Sequence, residues 1–275
     1  MTTSLHDLTR KTACTLFIAA LTLCCANCLA AEEAEPPKPA PEADEEAGWP
    51  KVNVSAGIDV VTNYVFRGFD YLDDKPAIQP WAGVAFPDAG VEIGLWSSFA
   101  ASDREDEEIR ALDEFDITVS WGHTWWLFNF GAGHVAYILP DSPGHAGYSA
   151  ELFAWFGVGF EPIPGTLALG AGLTGYWDYD QGNDLYMSLA ADATWTAMDF
   201  GAGTLVIGAG ATAGYNHGQY NVDPGLSDID LRGSVTVNVW LLSLYVECHA
   251  VLIPEETVND EDEEVWLKAG VSISF

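Results

Sequence analysis

The sequence predicts an all-β chain: a transmembrane, antiparallel, up-and-down β-barrel of about 12 strands over residues 51–275. Three observations predict it. From Lys51 onward apolar and polar residues alternate almost without interruption, the period of strands that show two different faces to their surroundings. Short connections alternate with long polar ones, a parity that a barrel with tight turns at one end and loops at the other requires and a sandwich does not. No apolar run after the first 31 residues reaches the roughly 20 residues of a spanning helix, so any membrane crossing falls to strands.

Taken in order, the chain begins with Arg10 and Lys11 ahead of an apolar run, followed by Cys28-Leu29-Ala30-Ala31. Small residues before the cut make residues 1–31 a secretory signal peptide. Cys24, Cys25 and Cys28 lack the residues a lipid-anchoring signal needs. Four of the five cysteines lie in this leader, which leaves Cys248 as a small apolar residue with no disulfide expected. Residues 32–50 are rich in Pro and Glu and read as an extended, solvated linker.

Strands are expected near 52–66, 76–86, 91–101, 113–125, 127–138, 148–160, 166–179, 185–197, 203–215, 228–240, 243–253 and 264–275. Pro87–Gly90, Glu161–Gly165, Met198–Ala202 and Leu241-Leu242 are tight links. The stretches 67–75, 102–112, 139–147, 180–184, 216–227 and 254–263 are longer and rich in Asp, Gly and Asn. Strand faces separate cleanly. Asp228, Asp230, Arg232, Ser234, Thr236 and Asn238 oppose Ile229, Leu231, Val235, Val237 and Val239. Asp184, Tyr186, Ser188, Asp192 and Thr194 oppose Leu185, Met187, Leu189 and Trp195. Glu114, Asp116, Thr118 and Ser120 oppose Phe115, Ile117, Val119 and Trp121. A charge on the lipid face near the midplane costs about 2–4 kcal/mol, which forces the polar rows inward.

Aromatic residues collect at strand ends: Tyr64, Phe66, Phe86, Phe99, Trp125, Trp126, Phe160, Trp177, Tyr179, Trp195, Tyr215 and Trp240. They suit the two girdles where rings meet headgroups. Inward glycines (Gly57, Gly83, Gly94, Gly131, Gly133, Gly157, Gly170, Gly172, Gly208, Gly210) leave room for water.

Charge narrows the function. A formal net charge of -31 repels nucleic acid, while 49% hydrophobic residues and 11 tryptophans exclude a disordered acidic chain. Asp59, Glu92, Glu114, Asp116, Glu151, Asp178, Asp192, Asp230, Glu247 and Glu264 face inward, against Arg67, Arg232 and Lys268. This is an acidic lumen that would favour small cationic or neutral solutes, with the bases forming a constriction or neutralising buried acids. Arg67-Gly68 is placed to hold the first loop inward by salt bridges to lumen acids, or simply to flank a turn. Loop acids at 103–108, 255–256 and 260–263 read as solvated. No metal or cofactor site has the required spacing.

Two other readings stand beside the pore. A closed structural or adhesive barrel needs only a blocked lumen. A barrel lipid hydrolase needs a serine beside His134 or His249, the latter sharing a face with Glu247, and neither has a serine at convincing spacing nor a G-x-S-x-G elbow.

The run Val60-Val61-Thr62-Asn63-Tyr64-Val65-Phe66-Arg67-Gly68-Phe69, then Lys75-Pro76-Ala77-Ile78-Gln79 and Gly94-Leu95-Trp96-Ser97-Ser98, resembles a TorF-like bacterial family of outer-membrane porins with no settled substrate. The resemblance is confined to residues 54–100. It implies an outer-membrane barrel with a channel role. The final strand, with Val265, Leu267, Ala269, Val271, Ile273 and Phe275 on one face, resembles the C-terminal insertion signal of such barrels. That likeness implies contact of this strand with the barrel-insertion machinery and places the chain in outer-membrane lipid.

Overall fold

A computed structural model of the chain describes residues 51–101, 113–140, 147–259 and 261–275. The expected signal peptide at 1–31, the expected linker at 32–50, and the loop acids at 103–108 and 260 lie outside the described residues. The strands are β1 (Asn53–Val61), β2 (Val65–Phe66), β3 (Phe69–Asp70), β4 (Ala77–Phe86), β5 (Val91–Ala100), β6 (Glu114–Trp125) and β7 (Phe128–Ile138). The second half has β8 (Tyr148–Ile163), β9 (Leu167–Asp178), β10 (Leu185–Asp199), β11 (Gly203–Asn216), β12 (Gly225–Val239), β13 (Leu242–Leu252) and β14 (Glu263–Ser274).

Among the described residues, β1 and β4 to β14 close into one antiparallel barrel of twelve strands, while β2 and β3 pair only with each other. Sequential neighbours pair throughout, and β1 closes the barrel against β14 from Ser55↔Ser274 to Val61↔Lys268. Phe275 extends that seam by exchanging backbone hydrogen bonds with Val54. Closure pairs every wall strand on both edges, so no ladder is left open to solvent or lipid.

Connections alternate as the composition requires. Pro87–Gly90, Trp126-Leu127, residues 164–166, residues 200–202 and Trp240-Leu241 turn tightly at one end, here the turn end; the longer connections gather at the loop end. Two tight turns place a tryptophan at positive φ, Trp126 and Trp240, a conformation that costs an L-residue about 1–2 kcal/mol. Those two indoles are 76% and 89% exposed, the position expected of a headgroup anchor.

Outside, the barrel shows Val60, Leu95, Phe156, Leu173, Leu189 and Leu244 to its surroundings, and among the described residues no charged residue shares the outward face of these six strands. An uncharged apolar surface of this kind matches hydrocarbon and would be poorly tolerated in water.

Strand one differs from its expected span of 52–66. The wall strand stops at Val61, where Thr62 Oγ1 accepts the amide of Leu267 and ends the pairing. The chain then turns inward, so Tyr64 and Phe66 leave the expected girdle and pack inside the barrel. The run of β-formers continues through this bend because β2 and β3 are themselves strands, and periodicity cannot distinguish a wall strand from an internal hairpin. Cys248 shares the outward row of Leu244 and Val246 in β13, opposite Leu267, the setting of a small apolar residue; no other cysteine lies among the described residues.

Candidate functional site

The inward hairpin is built locally. Arg67 and Gly68 both have positive φ (54° and 88°), the requirement of a two-residue turn matched to strand twist, with Phe66↔Phe69 and Val65↔Asp70 paired beside it. Behind it the Asp70 carboxylate accepts the amides of Leu72, Asp73 and Asp74, which fixes the return of the chain toward β4.

Arg67 sits at the hairpin's tip. Its Nη1 and Nη2 donate to Glu151 Oε1 and Oε2 at 2.6 and 2.7 Å, and Nη1 also donates to Gln219 Oε1 at 2.9 Å. The guanidinium lies over the rings of Phe66, Tyr176 and Tyr186 at 4.6, 4.4 and 4.4 Å from their centroids. Tyr137 Oη and Gln219 Nε2 donate to the same carboxylate at 2.8 and 3.1 Å. Glu151 and Gln219 are both 0% exposed, so the ion pair is dry and bidentate. Burial works against the charge on Arg67, and the hydrogen bond to Glu151 more than offsets it, holding the guanidinium firmly protonated.

Around this centre the hairpin touches much of the wall. Leu72, 1% exposed, packs with Val61, Ala77 and Ala100; Val65 and Phe69 pack on Val222, Val251, Ile253 and Val258, with Trp266 between the two clusters. Tyr64 Oη donates to Glu114 at 3.2 Å, and Tyr220, edge-on to Phe69, donates to Asp178 at 3.2 Å. The loop end of the lumen is therefore filled by protein.

The remaining inward charges have distinct settings. Asp178 also accepts Ser149 Oγ at 2.8 Å. Asp59 accepts a short hydrogen bond from Tyr245. Lys268 pairs with Glu247 at 2.6 Å. His249 stacks on Trp266 at 3.8 Å and turns Nδ1 to Asp230 at 3.0 Å and Nε2 to Glu247 at 3.4 Å. Glu264 accepts Asn259 Nδ2 at 3.3 Å. Asp116 Oδ1 is buried with no hydrogen-bond partner among the described residues. Arg232 lies across Gly210, Asp192 leans over Gly170, and Glu92 is exposed on the inner wall.

Two of the cavities on the lumen's side mark the contrast between its ends. One of about 410 Å³ lies beneath the hairpin, walled by Phe66, Arg67, Tyr137, Phe153, Tyr176 and Tyr186 with Asp116, Thr118 and Ser188 among the polar lining. The other, about 540 Å³, is at the turn end, where Gly157, Gly159, Gly170 and Gly172 supply no side chain and Trp155, Asn129, Glu161 and Asp192 line the space.

The ladder thus places every sequence-chosen wall residue inward: Asp59, Glu92, Glu114, Asp116, Glu151, Asp178, Asp192, Asp230, Arg232, Glu247, Glu264 and Lys268. It joins Arg67 to Glu151 and Glu247 to Lys268, and leaves Glu92, Asp192 and Arg232 apart from these pairs. Missed were Gln219, which sits in a loop without periodicity, and the caging Tyr137 and Tyr176, which inward parity would have found; Tyr186 stood on the expected inward row, and only its place in the cage was new. His134 faces outward against Tyr179 Oη at 2.7 Å, and His249 is enclosed by carboxylates and an indole; no serine bonds to either among the described residues.

The chain matches the model of a bacterial protein family of unknown function (Gcw_chp) over residues 45–246, and it belongs to that family. The match does not carry the TorF-like label. No curated protein matches the chain. Among solved structures, a KdgM porin superposes with a TM-score of 0.50 at 11% identity, over 80% of this chain and 99% of that one. LpxR from Salmonella typhimurium superposes with a TM-score of 0.51 at 9% identity, again over 80% and 99%. At such identity the likeness is one of fold: a closed barrel of the outer-membrane type.

Proposed function

We propose that the protein is an outer-membrane pore for passive diffusion of small cationic or neutral solutes, narrowed at its loop end by the hairpin that carries Arg67. The observation that carries this reading is the charge balance of the inner wall. Of the three bases that face the lumen, two are locked to carboxylates, Arg67 of the hairpin to Glu151 and Lys268 of the wall to Glu247, while Asp192 and Glu92 stand exposed with no salt bridge to a described residue. An unpaired carboxylate beside a low-dielectric wall concentrates cations and repels anions. The apolar outer surface supports a setting in lipid, and the exposed Phe275 at the β1–β14 seam supports recognition by the insertion machinery.

Planar-bilayer recording of the full chain across a salt gradient tests it. Discrete, low-conductance steps with a reversal potential on the cation side are expected. A folded, inserted barrel that stays silent at all voltages would overturn the pore and favour a closed structural barrel, the reading supported by the filled loop end.

A further inference from the structure

Arg67 is not a wall residue. It is a guanidinium carried into the lumen on a tether and bound there by a carboxylate, a carboxamide and the rings of the wall residues Tyr176 and Tyr186, with Phe66 of the tether itself beside it. That is the chemistry by which a protein holds a free guanidinium: a bidentate carboxylate fixes the plane, and ring faces attract the delocalised charge. The seat adjoins open space. The cavity of about 410 Å³ beneath it shares Phe66, Tyr137, Tyr176 and Tyr186 with the cage, and it holds a second carboxylate, Asp116, whose Oδ1 has no hydrogen-bond partner among the described residues.

We infer that the cage around Arg67 is a binding site for guanidinium-bearing cations, and that such a solute competes with Arg67 for Glu151 and releases the hairpin. The inference rests on the pore reading for its consequence, opening of the loop end, but not for the binding itself. The hairpin is suited to exchange: it shares no strand ladder with the wall, and its grip combines this one ion pair with packing around Leu72 and Phe69. A tethered group acts at an effective concentration of order millimolar or above, so a free competitor binds the wild-type barrel weakly and a barrel lacking the tethered group much better.

The probe is agmatine, which has a guanidinium and an ammonium, against putrescine, which has two ammonium groups and the same charge. Calorimetric titration of the full chain in detergent is expected to show agmatine binding to Arg67→Ala at least about tenfold tighter than to wild type, with putrescine at least about tenfold weaker than agmatine. Agmatine should also raise the melting temperature of Arg67→Ala and leave that of wild type nearly unchanged. Equal affinity in the two proteins, or equal affinity for the two amines, overturns the inference. Should Arg67→Ala not fold, Arg67→Lys keeps a charge opposite Glu151 without filling its fork. Agmatine should then bind this variant at least about threefold tighter than wild type, and no difference overturns the inference. Bilayer recording separates the two readings. Agmatine binding by a silent barrel supports the cage and sinks the pore, whereas a conducting barrel indifferent to agmatine keeps the pore and sinks the cage.

Discussion

The loop-end and turn-end halves of the lumen share one wall and one alternation, yet they are filled in opposite ways. At the loop end, inward positions carry Tyr137, Glu151, Asp178, Tyr186 and Asp228, and the chain adds Tyr64, Arg67, Leu72 and Gln219 from its loops until side chains such as Glu151 and Gln219 lose all exposure. At the turn end, Gly131, Gly157, Gly170 and Gly172 take the same inward rows, and the larger side chains fold flat, Trp155 over Gly122 and Gly131, and Asp192 over Gly170. The lesson is that barrel size does not set bore. Twelve strands enclose a fixed cross-section, and whether it conducts depends on which inward rows are glycine and on where the loops go.

Substitutions can break that contrast. The largest effect is expected at the loop end: Glu151→Ala strands the Arg67 guanidinium without its carboxylate in a dry site and should cost about 3–5 kcal/mol of stability, read from chemical unfolding in detergent. A loss below about 1 kcal/mol would mean that water reaches the pair. Next, Leu72→Ala removes the apolar anchor of the hairpin and should weaken its seat by about 2–4 kcal/mol, seen as faster proteolysis within residues 62–76 and longer open times. Unchanged cleavage would place the hairpin's hold in the ion pair alone. Smallest in stability, Asp192→Asn at the turn end should leave the unfolding midpoint in place while moving the reversal potential toward zero. If Asp192→Asn leaves selectivity untouched, the charge filter lies at the loop end.

These two halves also differ in how far their sequences announced them. The turn end was readable because its information is local. Asp192, Gly170 and Gly210 are neighbours across a ladder whose register follows from alternation and short turns, so parity alone aimed them inward. Arg67 was readable in part. Its place after strand one and beside a glycine suggested a loop held inward, and its partner proved to be one of the inward acids. Which acid it meets was hidden, as were Gln219 and the aromatic cage.

By itself the sequence determined the twelve-strand rhythm of the wall, the face of each wall residue, the parity of the connections and which wall carboxylates point inward. All four follow from a period of two residues and from the cost of charge in lipid, which act over neighbouring positions. Only the tertiary structure decided that Thr62 ends the wall and that the following hairpin fills the lumen. That choice rests on contacts 84 and 152 residues apart, Arg67 with Glu151 and with Gln219, which exist only once the barrel has closed and brought them around one space. Until closure, the hairpin's β-forming run and a longer wall strand satisfy the same local preferences.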